Sequence, residues 1–162
     1  MREIILVPLD GSEVAESILP YIKDVISKLA SDVKVKIILL QVLEEHYYSY
    51  GDDVMPYLAV VPFTKDRTEA DRGKAFNYLG EVAQKLVEKG VRVAIKVEFG
   101  DAAHQIARVA KKSRVNMIAM STHGRSGLAR LVLGSTTDKL LHITTKIPIT
   151  VVRVPKESLR NK

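Results

Sequence analysis

Five apolar runs, each short enough to be a single strand, are spaced along this chain. They are Glu3–Leu9, Lys34–Leu43, Val91–Phe99, Val115–Met120 and Ile147–Val154. Near-continuous apolar runs of this length are typical of strands buried on both faces of a sheet. Between them, apolar residues recur at the spacing of amphipathic helices. The predicted helices cover Glu13–Ala30, Arg67–Lys89, a segment after Gly100-Asp101, and a short segment that begins near Ser135.

The order of these elements predicts the fold. Strands that alternate with helices at these lengths indicate a parallel sheet with helices on both faces, which is a doubly wound α/β architecture. We expect residues 1–162 to form a single domain, with an irregular loop at 44–66 and a tail at 155–162. In such sheets, ligands bind at the carboxyl ends of the strands, where the strand order switches.

The irregular loop at 44–66 is rich in tyrosine. It contains four of the six tyrosines of the chain, together with two prolines and one glycine; the tyrosines are Tyr47, Tyr48, Tyr50 and Tyr57. Three interpretations stay open at this point: a lid that stacks on a base, a surface that docks a partner, or a loop that packs its own rings.

Composition limits the classes of protein that this sequence can encode. The 162 residues, 46% of them hydrophobic, can bury one core. Cysteine is absent, which excludes disulfides and Cys-based metal sites, and His46, His104 and His142 show no metal-ligand spacing. The sequence has no secretory signal pattern and no apolar run of about 20 residues, so we expect a cytoplasmic protein without a membrane span.

Charge is distributed unevenly along the chain. Residues 1–81 contain 9 Lys/Arg against 14 Asp/Glu, and residues 82–162 contain 16 against 5, so the two halves carry −5 and +11. From Ala102 to Thr137 there are six basic residues and no carboxylate. A localised positive field suits a polyphosphate ligand, although solvated helix faces explain many such charges. The basic half shows no combination of aromatic and basic residues that would form a surface for recognising nucleic acid, which argues against nucleic-acid binding.

The segment Ser121–Thr136, STHGRSGLARLVLGST, carries the strongest chemical signal. It places Gly124, Gly127 and Gly134 between a strand and a helix start with Ser135 and Thr136. Glycine allows close approach of the backbone to a ligand, and the N–H groups of a helix start attract phosphate. The segment therefore predicts a phosphate cradle. It is neither G-x-x-x-x-G-K-[ST] nor G-x-G-x-x-G. The alternative is an ordinary loop in which Ser135 only caps a helix.

Further candidate residues lie at the ends of strands one and four. Asp10 follows strand one, opposite the predicted Ser121–Gly124 loop, and either contacts a ligand or caps a turn. His123 either donates to a phosphate or faces solvent. No G-x-S-x-G motif surrounds the serines, and no residue is an evident general base. We therefore expect no enzyme, or at most slow hydrolysis of the phosphate ligand that the cradle predicts.

The chain resembles the universal stress protein family over almost its whole length. The resemblance includes VPLDGSE, LLQVLEE, EFGDAAHQIARVAKK, STHGRSGLARLVLGSTTDKLL and IPITVVRV. Nucleotide-binding members of that family carry a glycine, two residues, a second glycine, nine residues, and then Gly-Ser or Gly-Thr. Here Ser121 replaces the first glycine, Gly124 is the second, and Gly134-Ser135 is the final pair.

The resemblance implies a strand order, a ligand and a set of binding residues. The implied sheet order is 3-2-1-4-5, and the implied ligand is ATP, or ADP or AMP, with Mg²⁺ or Mn²⁺ on the phosphates. Asp10 would lie near the ribose or the phosphate-bound metal. Pro8 and Leu9 would line the base pocket, and Val42 would offer backbone groups to adenine. The phosphates would be held by Gly124, Arg125, Gly134, Ser135 and Thr136.

The resemblance further implies a homodimer through strand five, Ile147–Val154, and a role in stress response or signalling as a nucleotide-dependent switch with an unknown protein partner. Two rival functions stay open. One is a nucleotide-free dimer that acts only as an interaction module, which the replacement of glycine by Ser121 allows. The other is a small enzyme that adenylates a substrate or hydrolyses ATP.

Overall fold

The computed structural model describes residues 2–29, 32–44, 65–87, 91–124, 134–144 and 146–155. The predicted residues Arg125 and Gly127, residues 45–64 of the tyrosine-rich loop and residues 156–162 of the tail lie outside these ranges. The elements are β1 (Arg2–Pro8), α1 (Glu13–Glu16), α2 (Ile18–Ser27), β2 (Lys34–Leu43), α3 (Lys65–Val87), β3 (Arg92–Phe99), α4 (Ala102–Lys112), β4 (Met117–Gly124), α5 (Ser135–Ile143) and β5 (Ile149–Pro155).

The strands form one parallel sheet in the order β3-β2-β1-β4-β5. This confirms the predicted α/β class and strand order. The order reverses between β1 and β4, whose carboxyl ends therefore open a crevice at the top of the sheet. None of the helices in the described ranges is long and apolar enough to cross a membrane.

The sheet buries side chains on both faces, which explains the near-continuous apolar runs. Successive residues of a strand point to opposite faces. In β1, Ile5 and Val7 pack with α2 and α3, whereas Leu6 packs with α4 and α5. In β2, Ile37 and Leu39 join the first core and Ile38 and Leu40 join the second.

The predicted helix Glu13–Ala30 is in fact two helices, α1 and α2, and the break between them is at Ser17. Pro20 gives the reason, because it has no N–H to donate to Glu16 and is tolerated only in the first turn of a helix. The Ser17 N–H donates to the carbonyls of Glu13 and Val14. Helix α2 begins at the next residue, so Pro20 lies in its first turn.

The predicted Ser121–Gly124 loop is also corrected, because these residues continue β4. Their polar sequence did not predict a strand. However, β5 runs beside them, and the register continues from Ile118 opposite Ile149 to Gly124 opposite Pro155. Backbone pairing with β5 therefore extends the strand to the edge of the crevice, and Ser121 and Thr122 are held in a fixed pleat.

Candidate functional site

A cavity of about 250 Å³ lies at the carboxyl ends of β1, β2 and β4. It brings together eight of the twelve residues that the sequence singled out. They are Pro8, Leu9, Asp10, Val42, Ser121, Gly134, Ser135 and Thr136. His123 and Gly124 are the last two residues of β4, so their backbone lies at the same end of the sheet.

The start of α5 forms one wall of this cavity. Gly134 occupies the N-cap position and Ser135 is the first helical residue, so Ser135 is not the cap that the sequence suggested. Within the described part of the chain, no side chain caps α5. The first bond inside the helix is from the Asp138 N–H to the Gly134 carbonyl, at 2.9 Å. The preceding N–H groups are the ones that a helix leaves to an external acceptor.

Thr122 fixes this helix start against β4. Its side chain is buried, and its Oγ1 accepts a hydrogen bond from the Gly134 N–H at 3.2 Å. A Cβ at position 134 would lie 3.1 Å from the same oxygen, which is a tight contact. Glycine is therefore favoured at position 134 by the close approach of Thr122. Sequence reasoning missed Thr122, and its only signal was its place next to Ser121.

Ser121, where the family pattern has glycine, bonds to the neighbouring helix. Its hydroxyl donates to the Ala15 carbonyl at 3.0 Å, which ties the end of β4 to α1. The hydroxyl thus has a partner within the protein, and Ser121 still lines the cavity. Ser121 thus links β4 to α1, and its side chain is short and unbranched.

The turn after β1 presents Asp10 at the mouth of the cavity. The Ser12 N–H donates to Asp10 Oδ1 at 2.9 Å, and Gly11 between them adopts φ +86°, which glycine tolerates best. Ser12 in turn caps α1, because its Oγ accepts from the Ala15 N–H at 3.1 Å. Asp10 is therefore both a turn residue, as one interpretation held, and an exposed carboxylate on the cavity wall.

Apolar side chains form the rest of the lining. They are Pro8, Leu9, Val14, Ala15, Leu40, Val42, Ala102, Ile106 and Met120. Thr137 also lines the cavity, and its buried hydroxyl donates to Met120 Sδ at 3.7 Å. The cavity therefore combines apolar side chains with the polar start of α5, a combination that suits a ligand with an apolar ring and an anionic group.

A second cavity, of about 500 Å³, adjoins the first at Ala102, Ser135 and Thr136. Its wall contains Asp101, which caps α4 by accepting from the His104 N–H at 3.0 Å. Lys139 Nζ and His104 Nδ1 each lie 2.7 Å from this carboxylate. The Lys139 ammonium first, and then the His104 contacts, hold the pKa of Asp101 well below its usual range.

A metal site made only of protein side chains is absent from the described residues, since no group of three or more His, Asp or Glu comes together there. A cation in this cavity would therefore need ligand oxygens in addition to Asp10. This donor set fits a metal that arrives with phosphates, because Mg²⁺ commonly combines one or two carboxylates with substrate phosphates and water.

Comparison with known proteins agrees with the geometry. The sequence profile of the universal stress protein family matches residues 1–153. Universal stress protein MJ0577 from Methanocaldococcus jannaschii is 28% identical over 160 residues, which cover 94% of this chain and 96% of the relative. In the structural comparison MJ0577 has a TM-score of 0.72 and 25% identity, and 94% of this chain and 96% of MJ0577 are covered.

Two further solved structures carry nucleotides. A universal stress protein family protein from Arabidopsis thaliana with AMP bound has a TM-score of 0.65 and 17% identity, with 99% of this chain and 97% of that chain covered. A universal stress protein in complex with cAMP has a TM-score of 0.57 and 14% identity, with 93% and 96% covered. At these identities the two structures show a shared fold. Because the family profile spans nearly the whole sequence, the chain belongs to the universal stress protein family.

Proposed function

We propose that this protein binds an adenine nucleotide in the cavity at the carboxyl ends of β1, β2 and β4. One observation carries the proposal: the start of α5, which no described side chain caps, lines a cavity that also has apolar side chains in its wall. The phosphates would accept hydrogen bonds from the first N–H groups of α5, where the helix dipole also favours negative charge. The base would lie against Pro8, Leu9 and Val42.

The nucleotides of the structural relatives support this ligand class. Two such structures hold AMP and cAMP as bound molecules. For this chain we propose ATP as the ligand, with ADP and AMP as alternatives, and Mg²⁺ or Mn²⁺ on the phosphates. The metal would neutralise phosphate charge, and the Asp10 carboxylate would hold it directly or through water.

The proposed role is that of a cytoplasmic, single-domain nucleotide-dependent switch in stress response or signalling. The sequence offers no evident general base, so we propose slow hydrolysis at most. The two rival functions predict different responses to added ATP and substrate. A nucleotide-free interaction module would ignore added ATP, whereas an adenylating enzyme would turn over a second substrate.

Analysis of the ligand that co-purifies with the protein tests the proposal. Mass spectrometry of the material released on denaturation should detect an adenine nucleotide, and calorimetric titration of the emptied protein should show saturable binding of ATP. Adenosine serves as the matched control because it keeps the base and ribose but lacks phosphate. A protein that purifies empty and gives no heat with ATP would favour the interaction module.

We also propose that the protein dimerises by pairing β5 with a second copy of itself. β5 is at one end of the strand order, and an unpaired apolar edge strand tends to associate. The Ile118 N–H donates to the Pro148 carbonyl at 2.9 Å. Because alternate residues of a strand face the same neighbour, the Val152 N–H points to β4, whereas the N–H groups of Val151 and Arg153 point to the outer edge.

This hydrogen-bond pattern supplies a matched pair of proline variants. Val151→Pro removes an outward donor and should shift the protein towards monomer in light scattering at micromolar concentration. Val152→Pro removes an inward donor and should instead lower the thermal stability, because it breaks the β4–β5 pairing. Arg153→Pro provides a second outward position. A monomeric wild type would contradict the edge pairing, and so would a dimer unaffected by both outward prolines.

A further inference from the structure

The last residues of β4 hold a helix on each side of the sheet. Successive residues of a strand point to opposite faces, so neighbouring hydroxyls act on different helices. Thr122 accepts from the Gly134 N–H at the start of α5, whereas Ser121 donates to the Ala15 carbonyl in α1. Ser121 and Ala15 both line the cavity that we propose as the nucleotide site, which we call the nucleotide cavity. A glycine in place of Ser121 would leave α1 without this side-chain hydrogen bond.

Three hydrogen bonds connect Ser121 to the carboxylate of Asp10. The Ser121 hydroxyl donates to the Ala15 carbonyl at 3.0 Å, and the Ala15 N–H donates to Ser12 Oγ at 3.1 Å. The Ser12 N–H then donates to Asp10 Oδ1 at 2.9 Å. All four residues line the nucleotide cavity. This connection, which we call the Asp10 network, therefore runs along the cavity wall from the end of β4 to the carboxylate that follows β1.

Helix α1 depends on such contacts because it is short. It contains four residues, Glu13–Glu16, and a single helical turn is not stable without tertiary contacts. Val14 is the one residue among them that is buried, and apolar burial has no preferred direction. The Ser121–Ala15 hydrogen bond does have a preferred direction, so it orients α1 against β4. Because Ser12 joins α1 to Asp10, the orientation of α1 also sets the position of the Asp10 carboxylate.

We propose that Ser121 is a positioning residue, which holds α1 against β4 and thereby places the Asp10 carboxylate for nucleotide binding. The inference rests on the proposed nucleotide site, in which Asp10 holds the phosphate-bound metal. Ser121 then acts through its hydroxyl, and not through the close backbone approach that a glycine allows. Its hydrogen bond is partly buried, so removal of the donor leaves the Ala15 carbonyl with an acceptor position that water replaces poorly.

Substitution of Ser121 separates the effect of the hydroxyl from the effect of the space that it occupies. Ser121→Ala and Ser121→Gly should each weaken Mg-ATP binding by about fivefold in calorimetric titration, because both remove the donor. If Ser121 only obstructed the ligand, the glycine variant would bind more tightly than wild type. A gain in affinity in Ser121→Gly would overturn the proposal, and so would unchanged affinity in both variants.

A double-mutant cycle tests whether Ser121 acts through Asp10. Asp10→Ala alone should weaken Mg-ATP binding by about tenfold, because it removes the carboxylate that holds the metal. In the Asp10→Ala background, Ser121→Ala should change the affinity by less than about twofold, because the group that Ser121 positions is already absent. A further loss of about fivefold in the double variant would show that the two residues act independently, which would overturn the proposal.

Ser17 provides the matched control. Its hydroxyl also donates to a backbone carbonyl of α1, that of Glu13 at 2.9 Å, but Ser17 is not part of the Asp10 network and does not line the nucleotide cavity. Ser17→Ala should therefore leave the Mg-ATP affinity within about twofold of wild type. A loss equal to that of Ser121→Ala would show that any weakening of α1 is sufficient, and would contradict the specific role of Ser121.

Hydrogen exchange in the nucleotide-free protein tests the Asp10 network apart from the ligand. The Ser12 and Ala15 amides are its two backbone donors. Both should exchange at least about threefold faster in Ser121→Ala than in wild type, and at the wild-type rate in Ser17→Ala. Unchanged exchange of both amides in Ser121→Ala would overturn the proposal, whether or not ATP binds. Faster exchange in a protein whose wild type ignores ATP would support the positioning of Asp10 and contradict nucleotide binding.

Discussion

Helices α4 and α5 both begin at the carboxyl end of the sheet, after β3 and β4, yet their first turns differ. The first turn of α4 is closed by a carboxylate of the protein itself, since Asp101 accepts from the His104 N–H and pairs with Lys139. The first turn of α5 begins at Gly134, which has no side chain with which to cap. The dipole of each helix favours negative charge at its start.

This difference identifies which of the two helix starts is available to a ligand. At α4 the internal anion is already in place, and its lowered pKa keeps it charged. At α5 the backbone of Gly134 is positioned by the Thr122 hydroxyl, which leaves the following N–H groups directed to the cavity. The proposed site thus depends on a helix start that no described side chain caps, so a side chain that caps α5 should weaken phosphate binding.

Gly134→Asp should have the largest effect, because it gives α5 the kind of cap that α4 has. The new carboxylate would compete for the N–H groups and repel phosphate. We expect ATP affinity to fall about a hundredfold, about 2.7 kcal/mol, in calorimetric titration. A capping side chain stabilises a helix, whereas the tight contact with Thr122 Oγ1 opposes part of this gain. The melting temperature should therefore stay the same or rise.

Gly134→Asn is the matched control for this variant. It has nearly the same shape and can also cap, but it carries no charge, so ATP affinity should fall only about tenfold, about 1.4 kcal/mol. If Gly134→Asp bound ATP as tightly as wild type, the phosphates would lie elsewhere. If Asp and Asn reduced affinity equally, steric exclusion rather than charge would explain the loss.

Thr122→Val should have a smaller effect, because it removes the anchor of α5 and not the binding groups. The Gly134 N–H loses its acceptor, so the free energy of unfolding should fall by about 1 kcal/mol in denaturant titration. ATP affinity should fall about threefold, about 0.7 kcal/mol, because the helix start is less well positioned. Thr122→Ser keeps the hydroxyl and should restore both values; a serine variant as impaired as the valine variant would contradict the anchoring role.

Asp101→Asn should have the smallest effect, and one that depends on pH. The pKa of Asp101 is lowered in the folded state, so its charge contributes stability that is fully present above about 3.9, the ordinary pKa of an aspartate. That contribution is lost as the pH falls from there towards the lowered pKa. The melting temperatures of wild type and variant should therefore differ at pH 7 and converge below pH about 4. A difference that widens in acid would contradict this account of the α4 cap.

Hydrophobic patterning predicted β2 with the observed bounds, and most other elements to within a few residues. Two departures arose from interactions that a local pattern does not encode. The pairing of β4 with β5 extended the strand to Gly124, and Pro20 divided the first helix. In the candidate site, the glycine and serine residues of the sequence indicated the start of α5. The role of Thr122 and the Ser121–Ala15 hydrogen bond could not be predicted, because they depend on how β4, α1 and α5 pack together.

The central claim is that the start of α5, and not the start of α4, receives the phosphates. Amide chemical shifts in a ¹⁵N-labelled sample titrated with ATP test it most directly, with adenosine as the phosphate-free control. The Ser135 and Thr136 amides should shift strongly with ATP and weakly with adenosine, while the His104 amide, bonded to Asp101, stays in place. A large ATP-specific shift at His104 with unmoved Ser135 and Thr136 amides would contradict the claim.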